Sequence, residues 1–157
     1  MSVLTGKIAL VTGAGRGIGR ATALALAQAG CRLVITARTA SQLEQVRNEI
    51  QTAQGEVLSI AADLTRDQEI ERVIAEARSF GAVDFLINNA GWGKKSTVVR
   101  ADVEDWDQTF AVNLRAPMIP AMTGPECTPI RIGNGAGSRV RSRVAATTMS
   151  SASFVAI

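Results

Sequence analysis

Thr12-Gly13-Ala14-Gly15-Arg16-Gly17-Ile18-Gly19 places four glycines within seven positions, directly after the apolar run Lys7-Ile8-Ala9-Leu10-Val11. A glycine-rich turn between a strand and a helix is suited to holding an anion on backbone N–H groups. Glycine takes positive φ without strain, and a residue without Cβ lets the backbone approach a pyrophosphate closely. The helix that follows adds free N–H groups and a partial positive charge. The spacing is not G-x-G-x-x-G, so the signal rests on context, a strand before the glycines and a helix after them. A glycine-rich turn without ligand is the alternative.

A second group of residues bears on which dinucleotide such a turn would hold. A site for NAD usually places a carboxylate about 20 residues past the glycines, at the end of the second strand, where it accepts from the ribose 2′-OH. Here that stretch reads Thr36-Ala37-Arg38. With no carboxylate to repel a 2′-phosphate, and with Arg38 and Arg16 able to donate charge-assisted bidentate hydrogen bonds, the residues favour NADP over NAD. Otherwise the two arginines are solvated surface charges.

These residues need a scaffold, and the apolar periodicity supplies one. Lys7–Thr12 reads as a first strand buried on both faces. From Gly17, Ile18, Ala21, Leu24 and Ala25 recur at helical spacing as far as Gly30. Leu33-Val34-Ile35 reads as a second strand. Ser41 is predicted to cap a helix through Leu43, Val46 and Ile50. Val57–Ile60 gives a third strand, Thr65 is predicted to cap a helix with Ile70, Val73, Ile74 and Ala77 inward, and Val83–Ile87 gives a fourth. Strands alternating with helices predict an α/β fold, a Rossmann-type doubly wound parallel sheet of about four strands and therefore incomplete. After a loop from Ala90 to Ala101, Asp102 can cap one more helix with the inward stripe Val103, Trp106, Phe110 and Leu114. Asn113 falls on that stripe, where a buried amide must be fully hydrogen-bonded; it is either a structural amide pinning the end of the fourth strand or a site residue.

The pattern then stops. Pro117, Pro120, Pro125 and Pro129 are all the prolines of the chain, and neither Lys nor Asp occurs again. Residues 1–116 therefore read as the nucleotide-binding domain and 117–157 as an irregular or frameshifted tail. Arg139–Val144 alternates as an edge strand would. The net charge of +3 arises wholly in the tail, where Arg131, Arg139, Arg141 and Arg143 face Glu126 alone. A basic tail is a weaker sign of a nucleic-acid partner than a basic face on a folded domain, so no nucleic-acid partner is expected. The 46% hydrophobic composition suits one globular domain, no apolar run approaches the ~18 residues of a membrane span, and Met1–Lys7 lacks the apolar core of a signal peptide, so the expectation is a cytoplasmic protein without a membrane partner. Cys31 and Cys127 with no histidine offer neither a disulfide framework nor a metal site.

Thr12-Gly13-x-x-x-Gly17-x-Gly19, Asp63-Leu64, Asn88-Asn89-Ala90-Gly91 and Asn113, in that order, resemble the short-chain dehydrogenase/reductase family over about Lys7 to Ala116. The resemblance implies NAD(P)-dependent hydride transfer between a carbonyl and an alcohol on a small-molecule substrate. It implies that Asp63 contacts the adenine edge and Leu64 holds the base. Asn88, Asn89, Ala90 and Gly91 would lie along the nicotinamide ribose, and Asn113 would join the catalytic set through a bound water.

The family's remaining catalytic residues, a serine after the fifth strand and a Tyr-x-x-x-Lys pair, are not identifiable. The chain contains no tyrosine, and its lysines, Lys7, Lys94 and Lys95, all precede the helix bearing Asn113. The leading expectation is the cofactor-binding half of an NADP-dependent oxidoreductase, inactive as it stands, with the fourth strand left as an apolar edge and self-association of the isolated chain as the consequence. The alternative is a non-catalytic dinucleotide-binding or partner-binding module. A Rossmann-like methyltransferase fits Asn88–Gly91 and Arg38 less well.

Overall fold

The computed structural model describes residues 4–95, 97–118 and 145–148. The chain runs β1 (Ile8–Thr12), α1 (Gly17–Gln28), β2 (Arg32–Ala37), α2 (Ala40–Thr52), β3 (Val57–Ala61), α3 (Asp67–Phe80), β4 (Phe85–Asn88), a 3-10 turn at Val98–Arg100, α4 (Val103–Phe110), a π-helical turn at Ala111–Arg115, and β5 (Ala145–Thr148). All strand pairs are parallel, in the order β3-β2-β1-β4-β5.

β1 is the centre of this sheet, and its sequence shows why. Successive side chains of a strand point to opposite faces. Ile8 and Leu10 pack with Val34, Ile60 and Leu86 under α3 residues Ile70, Val73 and Ala77. Ala9 and Val11 pack with Leu33 and Ile35 under Ala23 of α1 and Leu43, Val46 and Ile50 of α2. A strand covered on both faces has no position that tolerates a charge, so it reads as a continuous apolar run. The register pairs Thr12 with Thr36, Ala37 with Ala61 and Val11 with Ile87, which brings the carboxyl ends of four strands to one edge of the sheet. In a doubly wound sheet that edge, where the strand order reverses beside β1, is the ligand crevice.

Several expectations need correction. Ser41 does not cap α2: the helix begins at Ala40 behind an extended Thr39, and no side chain caps it. Thr65 does not cap α3, because its hydroxyl donates to Asp63 Oδ1 at 2.9 Å; the helix follows Arg66 without a side-chain cap. Asp102 does cap α4, accepting from the Glu104 N–H at 3.1 Å.

The stripe on α4 faces outward rather than inward. Val103, Trp106, Phe110 and Leu114 are each at least half exposed, and the inward positions fall to Val112 and Ala116. Periodicity identifies a stripe but not the neighbour that covers it. Nor is β4 the outer edge of the sheet, since Ala145–Thr148, in the stretch read as irregular, pairs with Phe85–Asn88 as a fifth parallel strand. The alternating run 139–144 lies outside the described residues.

Candidate cofactor-binding site

The loops at the carboxyl ends of β1 to β4 enclose a cleft of about 430 Å³. From the first loop come Gly13, Gly15, Arg16, Gly17 and Ile18; from the end of β2, Ala37, Arg38 and Thr39; from the end of β3, Ala62, Asp63 and Leu64; from the end of β4, Asn89, Ala90, Gly91 and Trp92. Gln42 of α2 and Val112 complete the lining. Eleven of the residues named from the sequence thus converge on one crevice. Thr39, Gln42, Ala62, Trp92 and Val112 went unnamed, and no motif marks them. They enter because the chain leaving β2, β3 and β4 adds residues beside the expected positions and because α2 and the π turn border the crevice.

Thr12, Gly19, Asn88 and Asn113 are not part of the lining, and the geometry gives three of them other tasks. The buried Thr12 hydroxyl accepts from the N–H groups of Asn89 and Ala90, each at 3.0 Å, and donates to the Ile87 carbonyl at 3.3 Å. It welds the end of β1 to the loop after β4. Asn89 reinforces the weld, its Nδ2 donating to the carbonyls of Thr12 at 3.0 Å and Gly13 at 3.2 Å.

Gly19 lies where α1 crosses this joint, and a Cβ there would stand 2.3 Å from the Gly13 carbonyl oxygen and 2.4 Å from Asn89 Nδ2. Gly17, by contrast, has open space around it and is required for its φ of +56°. Asn88 is buried at the end of β4. Asn113 is exposed rather than buried, yet both ends of its amide are used: Oδ1 accepts from the Trp92 N–H at 2.9 Å and Nδ2 donates to the Trp92 carbonyl at 2.7 Å. That pair ties the π turn to the cleft wall, so the amide does pin the chain that leaves β4.

The electrostatics suit an anion. α1 starts behind an extended Arg16 with no side-chain cap, so the first N–H groups of the helix are left for a ligand, and Gly17 and Ile18 there line the cleft. Burial raises the pKa of Asp63, but the N–H and hydroxyl of Thr65, with the positive charges of Arg38 and Arg66, outweigh it and hold the carboxyl below its ordinary value. Asp63 is therefore an ionised acceptor on the β3 side. Arg20, Arg32, Arg47, Arg72 and Arg115 each pair with a carboxylate. Arg16 and Arg38 form no salt bridge among the described residues, although both border the cleft. A glycine-walled crevice with uncapped N–H groups at one point, free guanidinium groups at its rim and an acceptor opposite fits a phosphorylated nucleotide cofactor.

The family described as short chain dehydrogenase matches residues 7–137. An uncharacterized oxidoreductase of Staphylococcus aureus (strain MRSA252) is 38% identical over 122 residues, which are 77% of this chain and 52% of that protein. A 3-oxoacyl-[acyl-carrier-protein] reductase of Synechocystis sp. is 38% identical over 116 residues, 73% of this chain and 47% of the relative. Among solved structures, a metagenomic short-chain oxidoreductase in complex with NADP is similar with a TM-score of 0.74 and 38% identity over 77% of this chain and 56% of that one. The L-sorbose reductase from Gluconobacter frateurii, complexed with NADPH and L-sorbose, matches with a TM-score of 0.74 and 31% identity over 78% of this chain and 48% of the other. The chain spans about half the length of the curated relatives it matches.

Proposed function

The chain belongs to the short-chain dehydrogenase family, and from that premise we propose that its cleft binds NADP(H) in preference to NAD(H). The observation that carries this is a pair of guanidinium groups without a salt bridge: of the arginines near the glycine loop, Arg20 is neutralised by Glu49, whereas Arg16 and Arg38 border the crevice and form no salt bridge among the described residues. Arg38 follows β2, where the ribose 2′ position is expected, and its charge acts on Asp63, which follows β3. The glycine loop would take the pyrophosphate, Asp63 and Leu64 the adenine side, and Ala90, Gly91 and Trp92 the nicotinamide side. Thr12, Asn89 and Gly19 would hold those walls in place. Bound nicotinamide dinucleotide supplies hydride transfer to or from a small-molecule carbonyl or alcohol.

The 157 residues contain no tyrosine, so the proton donor on the substrate oxygen is missing from them, and general acid–base catalysis worth about 10²–10⁴ in rate goes with it. We therefore read this chain as binding the cofactor without turnover. Asn113, with its side-chain amide committed to Trp92, serves that reading as a positioning residue. The exposed stripe on α4 supports self-association of the isolated chain.

Titration of the purified chain with NADPH and NADH tests the reading. NADPH is expected to bind at least about tenfold more tightly, and Arg38→Ala to weaken NADPH by about tenfold with NADH nearly unchanged, as loss of one charge-assisted hydrogen bond implies. Equal affinities would overturn the preference. NADPH-dependent reduction of a carbonyl panel by the pure chain would overturn the inactivity.

A further inference from the structure

Gln42 is the one polar residue of α2 that lines the cleft, and sequence motifs give it no role. It occupies the first turn of the helix, half-buried, two residues beyond Ala40. Its side chain lies over the glycine loop: a Cβ on Gly15 would stand 3.0 Å from Gln42 Oε1 and 3.1 Å from Gln42 Cβ. Gly15 is not at positive φ, and a Cβ there would press on this overlying side chain and meet Ala37 Cβ at 3.4 Å. The amide forms no hydrogen bond with another described residue. A half-buried amide that nothing in the fold satisfies is available to a ligand.

Its neighbours along the wall define which part of a ligand it would meet. Arg16 follows Gly15, and Ala37, Arg38 and Thr39 form the adjoining strand end. That is the corner to which the NADP preference assigns the ribose 2′-phosphate. We propose that Gln42 is a specificity-determining residue of the cleft: its side-chain amide donates to the 2′-phosphate from beside Gly15, in the cleft wall it shares with Arg16 and Arg38. This rests on the NADP reading given above. A neutral donor at this corner adds a hydrogen bond without a charge of its own, and it leaves the corner free of the carboxylate that would instead accept from a 2′-OH.

A charge series at one position tests it, with dissociation constants for NADPH and NADH measured by quenching of tryptophan fluorescence. Gln42→Glu is expected to weaken NADPH by about tenfold or more through repulsion between like charges, while NADH stays within about twofold. Gln42→Ala is expected to fall between Gln42→Glu and the wild type for NADPH, and Gln42→Lys to match or exceed the wild type. A residue with a merely structural role would change both cofactors alike and would not follow the sign of the charge. If the wild type prefers NADPH but the series is flat, or shifts both cofactors together, the role of Gln42 is overturned and the NADP reading stands. If the wild type shows no preference, or binds neither cofactor, both fall.

Discussion

At the scale of single residues, the cleft is shaped by groups that do not line it. The Thr12 hydroxyl satisfies two backbone N–H groups beneath the crevice and makes a third bond to Ile87. Replacing it by the isosteric Val leaves both donors unpaired, and each partly buried orphan costs about 1–3 kcal/mol. Thr12→Val is therefore expected to lower unfolding stability in urea by about 2–4 kcal/mol and to weaken NADPH binding, while Thr12→Ser keeps most of both. The glycines separate by mechanism in the same assay. Gly17→Ala meets no neighbour and is penalised only for positive φ, about 1–2 kcal/mol. Gly19→Ala drives a methyl group into the Gly13 carbonyl and the Asn89 amide, so it must move the joint between α1 and β4 and should be the more damaging of the two, most visibly in cofactor affinity. Equal effects would show that steric closure at Gly19 is not what that glycine provides. At the same joint, sequence motifs marked Thr12, Gly19 and Asn89 as site residues but not the contacts that they make. A motif records which residue type stands at a position, and the bond that calls for it reaches across more than seventy positions of chain.

Among the elements, α4 departs furthest from its expected setting. Its start is legible, since Asp102 accepts from Glu104 as an N-cap should. Its orientation is not. Val103, Trp106, Phe110 and Leu114 are correctly spaced for one face, yet that face is open, with the rings of Trp106 and Phe110 5.9 Å apart beside a groove that also holds Leu114 and Met118. Contiguous exposed apolar surface of this kind promotes association. Phe110→Ser is expected to raise the monomer fraction in sedimentation velocity without weakening NADPH binding, because Phe110 lies outside the cofactor cleft. An unchanged distribution would show that the α4 stripe does not drive association. Ser41 and Thr65 illustrate the same limit at smaller size: both are residue types that cap helices, but the α2 backbone turns two residues early and the Thr65 hydroxyl is already engaged by Asp63.

For the whole molecule, the composition changes in the stretch from residue 117 onward. Its proline cluster and its loss of Lys and Asp suggest a reading frame that departs near Pro117. The family match nevertheless runs on to residue 137, and Ala145–Thr148 takes the place of a fifth parallel strand beside β4. Sequencing the encoding DNA and translating every frame beyond the codon for Pro117 decides the origin of this stretch. The expected result is a second frame that supplies a serine and a Tyr-x-x-x-Lys pair. If no frame does, the tail is native and the chain acts as a cofactor-binding module. The sequence by itself determined the alternation of strands and helices and the phosphate-binding turn, because strands buried on both faces admit only apolar residues and a turn at positive φ admits little but glycine. It also placed Arg38 and Asp63 at strand ends, where ligands of such folds gather. Only the tertiary structure decided that the Asn113 amide is committed to Trp92, that the α4 stripe faces outward, and that Gln42 overhangs Gly15. Each of these depends on how one element lies against another, a relation between residues far apart in the chain that no local pattern encodes.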